Sequence, residues 1–312
     1  MNNQTKWLMA GAGALGAVAA AGLLLRRGPY SFRDKAVFIT GGSRGLGLRI
    51  ARILAEEGAR LTLISRHEDG LQAAVRELAA TGAQVATFTC DVRDRQQVQE
   101  KIDASVKLYG SIDVLINNAG VIQVGPFENM DIEDFENAMA IHAWGPLYAI
   151  LAALPHMRRQ GAGRILNISS IGGKIAVPHL MPYAMSKFAL AGLSDAMRAE
   201  LRNYGIIVTS VYPGLMRTGS HVHAKTKGHA EREFAWFSFM ATNPIFAINA
   251  DRAARQIIEA CRKGSPELVI STQANLAVMA QGIIPGVVAR MSAVVNRFLP
   301  KSTVDAGERR AA

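Results

Sequence analysis

Seven short apolar runs punctuate the chain: "KAVFIT" (35–40), "RLTLIS" (60–65), "QVATFT" (84–89), "IDVLIN" (112–117), "GRILNIS" (163–169), "IIVTSVY" (206–212) and "ELVIS" (267–271). Each is rich in β-branched residues and too short for a helix, so each predicts a strand. Between most of them lie amphipathic stretches of helical length, such as "GLGLRIARILAEEG" and "EDGLQAAVRELAATG". Near-continuous apolar strands separated by helices predict a parallel sheet covered on both faces. The expected fold class is α/β, a doubly wound parallel sheet of about seven strands, with a ligand outside the carboxyl ends of the strands.

Three segments stand outside that alternation. Residues 214–248 read as an irregular or helical insertion between the sixth strand and the next helix. Residues 272–312 form an apolar C-terminal tail, in which Leu276, Met279, Ile283, Val287, Met291, Val295 and Phe298 recur at helical intervals. Pro285 should break or bend it. Packing on the domain, contact with a partner and residence in a membrane interface are all open for this stripe. At the other end, "WLMAGAGALGAVAAAGLLL" (7–25) carries no charge and is long enough to cross a bilayer as a helix. Residues 1–28 are therefore expected to be a single-pass membrane anchor, with cleavage as a signal peptide the rival reading. Arg26 and Arg27 follow the span and place the main domain, residues 33–271, on the cytoplasmic side.

Composition narrows the picture further. Apolar residues make up 49% of the 312 and charged residues 19%, which describes an ordered globular chain. The formal net charge of +10 asks for an anionic partner. No basic run with interleaved aromatics and no nucleic-acid-reading motif is present, so nucleic acid is not expected. A membrane surface or a phosphorylated cofactor suits the charge better. Cys90 and Cys261 lie far apart in apolar runs without metal-ligand spacing, which predicts buried free thiols. His221, His223 and His229 are close in sequence but lack a carboxylate-ordered pattern, and no metal is expected.

Two stretches carry chemistry. "TGGSRGLG" (40–47) follows the first strand and opens the first helix. Glycines there permit a tight turn and let backbone N–H groups approach a pyrophosphate at the helix N-terminus. The spacing of Gly41, Gly45 and Gly47 has a wider first gap than G-x-G-x-x-G. "YAMSK" sets Tyr183 and Lys187 four apart, on one face of a helix. A nearby ammonium would favour the phenolate and lower the phenol pKa.

These stretches, with "NNAG" (117–120), a serine thirteen residues before Tyr183 and "YPGLMRT" (212–218), resemble the short-chain dehydrogenase/reductase family in content and order over roughly residues 33–271. The resemblance implies Tyr183 as general acid or base, Lys187 on the nicotinamide ribose, and Ser170 on the substrate oxygen, with Ser169 the adjacent alternative. It implies a cofactor held by the loop residues Gly41, Ser43, Arg44, Gly45, Leu46 and Gly47, and by Asp91 and Val92 at the adenine. Asn117, Asn118, Ala119 and Gly120 should line it, and Pro213, Gly214 and Thr218 should meet the nicotinamide. His142 stands where the family usually has an asparagine that supports a proton-relay water, a role imidazole could take.

Where a carboxylate commonly reads the adenosine ribose, this chain has Ser65 followed by Arg66, with Arg44 in the glycine loop. Guanidiniums without that acid favour NADP(H) over NAD(H). "EFAWFSFM" (233–240) concentrates aromatics in the region that covers the substrate in this family, suggesting an apolar one: a steroid, a retinoid, or a fatty or other lipid-like alcohol or ketone. The resemblance thus implies an NADP(H)-dependent oxidoreductase, able to form a homodimer or tetramer. A non-catalytic dinucleotide sensor or membrane scaffold on the same fold is the alternative.

Overall fold

The computed structural model describes residues 30–244 and 246–304. The apolar stretch 7–25, and with it the expected membrane span, lies outside the described residues. From Phe32 onward the chain forms one compact unit.

Its centre is a seven-stranded sheet: β1 (Ala36–Thr40), β2 (Arg60–Ser65), β3 (Val85–Thr89), β4 (Val114–Asn117), β5 (Gly163–Ile168), β6 (Ile206–Pro213) and β7 (Glu267–Ile270). The strands are ordered β7-β6-β5-β4-β1-β2-β3, and every pairing is parallel. Each boundary falls within two residues of the apolar run that predicts it. All five residues of β1 are buried. Asp113 fixes its register against β4 by accepting from the Ala36 N–H (2.9 Å) and pairing with Lys35 (3.2 Å).

Helices cover both faces: α1 (Gly45–Glu56), α2 (Glu68–Leu78), α3 (Arg95–Tyr109), α4 (Ile132–Met139), α5 (Gly145–Gln160), α6 (Met181–Arg202), α7 (Ala230–Thr242), α8 (Ala250–Lys263), α9 (Thr272–Ile283) and α10 (Pro285–Asn296). A π turn, Ala140–Trp144, joins α4 to α5. The continuous stretch 132–160 is long and apolar enough to cross a membrane, yet its apolar 18-residue window is more than half buried. It packs on α3 and α6, as a core helix does. One face of the sheet meets α3 and α5 through Phe38, Ile102, Leu115, Ile150, Ala153 and Ile165.

Strand order reverses on either side of β1, so the chains leaving β1 and β4 diverge and open a crevice at the carboxyl edge. The insertion 214–248 closes over it. Two-residue bridges tie the insertion down, Lys225–Thr226 to Gln123–Val124 and Met216–Arg217 to Ile248–Asn249, and α7 lies between them. In the tail, Pro285 ends one helix and begins the next, as its missing N–H requires.

Candidate active site

The site is built first from the turn after β1. Gly41 and Gly45 take φ of +66° and +59°, a region that side chains disfavour. A Cβ on Gly47 would lie 2.3 Å from the Gly41 carbonyl oxygen, so the loop can fold back on α1 only with glycine there. Thr40 Oγ1 accepts from the N–H groups of Asn118 and Ala119, each at 3.0 Å. The Asn118 amide in turn donates to the carbonyls of Thr40 (3.1 Å) and Gly41 (3.0 Å). The two turns that flank the crevice are thus one hydrogen-bonded unit.

A cleft of ≈ 540 Å³ runs along the carboxyl edge. Every residue expected above to be catalytic or cofactor-binding lines it, except Gly47 and Asn117. Gly47 shapes the loop from behind. Asn117 is the last residue of β4, buried and pointing away; its amide donates to Asn167 Oδ1 (2.8 Å), which passes the network to Ser194 (2.8 Å). The expectation that Asn117 faces the cofactor site is therefore corrected: Asn117 does not line the cleft, whereas Asn118 does. The cradle of glycines, the tied Asn118–Gly120 turn and the exposed arginines at one end suit an extended, phosphate-bearing dinucleotide.

Tyr183 and Lys187 come from the first two turns of α6, and Ser170 from the chain leaving β5. Ser169 turns its hydroxyl to the Lys187 carbonyl (3.0 Å), whereas Ser170 Oγ accepts from the Gly172 N–H (3.0 Å) and lines the cleft with the phenol of Tyr183. Lys187 is buried; its Nζ donates to the Ile168 carbonyl (2.9 Å) and lies 5.6 Å from the centre of the Tyr183 ring. Burial pushes the Lys187 ammonium down to about 7. Although Tyr183 as a residue is partly exposed, its hydroxyl is enclosed, and that desolvation raises the phenol above its ordinary value against the opposing bond from Ser170. The expected lowering of the phenol by Lys187 is absent here. The ammonium is spent on a backbone carbonyl and is itself short of solvation, while the phenolate would gain no partner beyond Ser170.

His142, 1% exposed, sits in the π turn. Its Nε2 accepts from the Val121 N–H (3.0 Å), which leaves Nδ1 to carry the proton and donate to Ser186 Oγ (2.7 Å). Ser186 then donates to the Tyr183 carbonyl (2.8 Å). Burial, then the charge of Lys187, hold the imidazole well below its usual range, so it is neutral. Both ring nitrogens are engaged by protein groups, so the expected use of the side chain to hold a water is replaced by a fastening between the turn after β4 and the first turn of α6.

At the other end, Arg44 and Arg66 are exposed, and Ser43 Oγ donates to Ser65 Oγ (3.0 Å). Among the described residues neither arginine pairs with a carboxylate. Arg44 instead meets His223 Nε2 at 2.7 Å, and desolvation, then Arg44, then His67 lower that histidine. Asp91 is gripped by Arg93 (2.6 Å), whose bond holds its carboxyl below the ordinary range.

Three groups escaped the sequence reading. Thr40 and Ser186 lie inside quoted motifs, where a hydroxyl beside a glycine turn or on a catalytic helix was the available signal. The third opens the aromatic stretch 233–240, whose pattern gave no sign of its role: Glu233 is fully buried and binds His179 Nδ1 (2.8 Å) and the Trp236 indole N–H (2.7 Å). That clamp sets Trp236, Phe237 and Met240 against the cleft. Among the described residues no three side chains assemble as metal ligands, and His229 immediately precedes α7.

Comparison with known proteins gives this geometry a lineage. A short chain dehydrogenase family model matches residues 35–228. SadH of Mycobacterium tuberculosis, which bears an oxidoreductase name, is 32% identical over 274 residues, covering 86% of this chain and 98% of that protein. Dehydrogenase/reductase SDR family member 7B of Bos taurus is 31% identical over 86% of this chain and 84% of its own. A short chain dehydrogenase/reductase of Burkholderia phymatum, solved with NAD, shares the fold with a TM-score of 0.77 at 23% identity, over 83% of this chain and 96% of that one. With its glycine loop, parallel sheet and Ser–Tyr–Lys cleft, the chain belongs to the short-chain dehydrogenase/reductase family and is an oxidoreductase of that type.

Proposed function

We propose that the protein is an NADP(H)-dependent oxidoreductase that moves a hydride between the nicotinamide and a carbonyl or hydroxyl carbon of an apolar substrate. The observation that carries this reading is the convergence of Ser170, Tyr183 and Lys187 on one cleft whose outer wall is Trp236, Phe237 and Met240. A nicotinamide dinucleotide supplies or accepts the hydride when bound. Ser170 presents its hydroxyl to the substrate oxygen and stabilises negative charge developing there. Tyr183, kept protonated by burial, delivers its proton to that oxygen in reduction and receives one in oxidation. Lys187 has one backbone acceptor and two further N–H donors, which suit ribose hydroxyls. Its charge, steadied by those oxygens, would then stabilise the phenolate left after proton delivery.

Preference for NADP(H) rests on Arg44 and Arg66 beside Ser65, where a carboxylate would repel a 2′-phosphate. The apolar substrate class rests on the aromatic wall, and a steroid, retinoid or fatty alcohol or ketone meets it. Residues 7–25 are read as a retained single-pass anchor, with Arg26 and Arg27 keeping the catalytic domain in the cytoplasm where NADPH is the reductant.

A cofactor-consumption screen over such alcohols and ketones, run on the wild type and Tyr183→Phe, tests the reading. Tyr183→Phe removes the transferable proton and keeps the ring, so turnover should fall by about 100-fold or more while NADPH still binds by calorimetry. Undiminished turnover in Tyr183→Phe would refute it.

A further inference from the structure

We propose that α9 and α10 form a lipid-docking hairpin that seats the mouth of the cleft on an anionic membrane surface. None of the twelve residues of α10 is buried, and in α9 only Ala274 is. Leu276, Met279, Ile283, Met291 and Phe298 are 60% to 85% exposed. Helices shorter than about 12–15 residues are marginal in water on their own, and a surface this apolar marks a place of contact. Something outside the fold stabilises this pair.

Charge selects the occupant. Residues 268–304 contain no aspartate or glutamate and carry Arg290, Arg297 and Lys301. A two-fold pairing of this face with a second copy would set those cations against themselves, with no carboxylate on the face to offset them. Apolar residues interspersed with cations alone suit the headgroup boundary of an anionic bilayer.

Position adds the function. The hairpin leaves the domain at Ser271, directly after β7 and beside Gly214 of the cleft. It returns at Ser302 and Thr303, whose hydroxyls bond Asn129 at 3.1 and 2.8 Å. Asn129 abuts Gly228, two residues before the helix that walls the cleft. Both attachments therefore flank the carboxyl edge of the sheet. That helix itself exposes Phe234 and Phe239, the latter ring 6.4 Å from Phe246. The inference rests on the membrane reading above. An apolar substrate would then pass from lipid to the cleft beneath the aromatic wall.

The test uses the full chain in equimolar phosphatidylcholine–phosphatidylglycerol vesicles. Cys90 and Cys261 are buried, so an environment-sensitive fluorophore can be placed on Met291→Cys, with exposed Lys107→Cys as the reference. The Met291→Cys label should emit at shorter wavelength and be quenched several-fold more by acyl-chain spin labels than the reference. Adding Ile283→Glu and Val295→Glu should abolish that quenching without moving the melting temperature, because both sites are exposed. A label as wet as the reference would overturn the proposal. So would a label shielded from water but not quenched by lipid, which would show pairing between copies. Extraction of the unlabelled chain by alkaline carbonate would instead defeat the anchor reading, separately from either result.

Discussion

Replacing His142 with asparagine, the residue the family usually carries there, should change how stability depends on pH. In the native protein His142 is neutral and fully enclosed, with its titration held well below 6.5 by burial and by Lys187. In the unfolded chain it titrates at the ordinary value. Its contribution to stability is therefore complete above 6.5 and declines as the pH falls below it, since only the unfolded chain takes up the proton. The decline is about 1.4 kcal/mol per pH unit, so roughly that amount is lost by about pH 5.5. At about pH 8 the variant should be the weaker protein, because asparagine cannot reach both Val121 and Ser186; one lost buried bond costs about 1 kcal/mol. The stability difference between wild type and His142→Asn should thus shrink to nothing or change sign on acidification. Urea unfolding of both proteins across that range measures it, and the other titrating groups cancel in the difference. A gap that stays constant from about pH 8 to about pH 5.5 would refute the neutral, doubly bonded imidazole.

Lys187→Met should raise the stability of the cofactor-free protein while abolishing turnover. The ammonium is pushed down to about 7 from 10.5, so its contribution is complete above 10.5 and lost as the pH falls to 7; removal should gain a few kcal/mol at neutral pH, at about 1.4 per unit, a gain that shrinks steadily toward about pH 10, as read by thermal melts. Arg66→Ala should weaken NADPH by about tenfold and leave NADH unchanged, a difference calorimetry resolves, because only the 2′-phosphate gains from the guanidinium. Glu233→Ala should cost about 2–5 kcal/mol, since it strands the buried His179 and the Trp236 indole. It should also raise KM for apolar substrates, whereas Glu233→Gln, which keeps an acceptor of the same shape, should lose much less.

How much of this was legible depends on how far apart the deciding residues lie in sequence. The seven strands, the glycine turn and the Tyr183–Lys187 face could be read from sequence because each follows from a local rule. Strands buried on both faces must be runs of apolar residues, and positions four apart on a helix share a face. Pro285 announced the break in the tail by the same kind of rule. Which of two neighbouring residues served the site was a different matter. Ser170 rather than Ser169 followed from its spacing to Tyr183, but the choice between Asn117 and Asn118 turned on which way the chain faced as it left β4, and the assembled sheet turns Asn117 away from the cleft.

The partnerships that finish the site were beyond any pattern along the chain. His142 meets Ser186 across 44 positions, and His179 meets Glu233 across 54. Such pairs arise because a polar group enclosed by a fold must find a partner wherever the fold brings one. The direction of the Tyr183 and Lys187 shifts was likewise decided by enclosure, not by spacing. Sequence alone determined the sheet, the loop and the reactive trio, whose constraints act within a few residues. Only tertiary structure decided the partners and charge states, because desolvation and hydrogen-bond satisfaction are properties of the space around a residue.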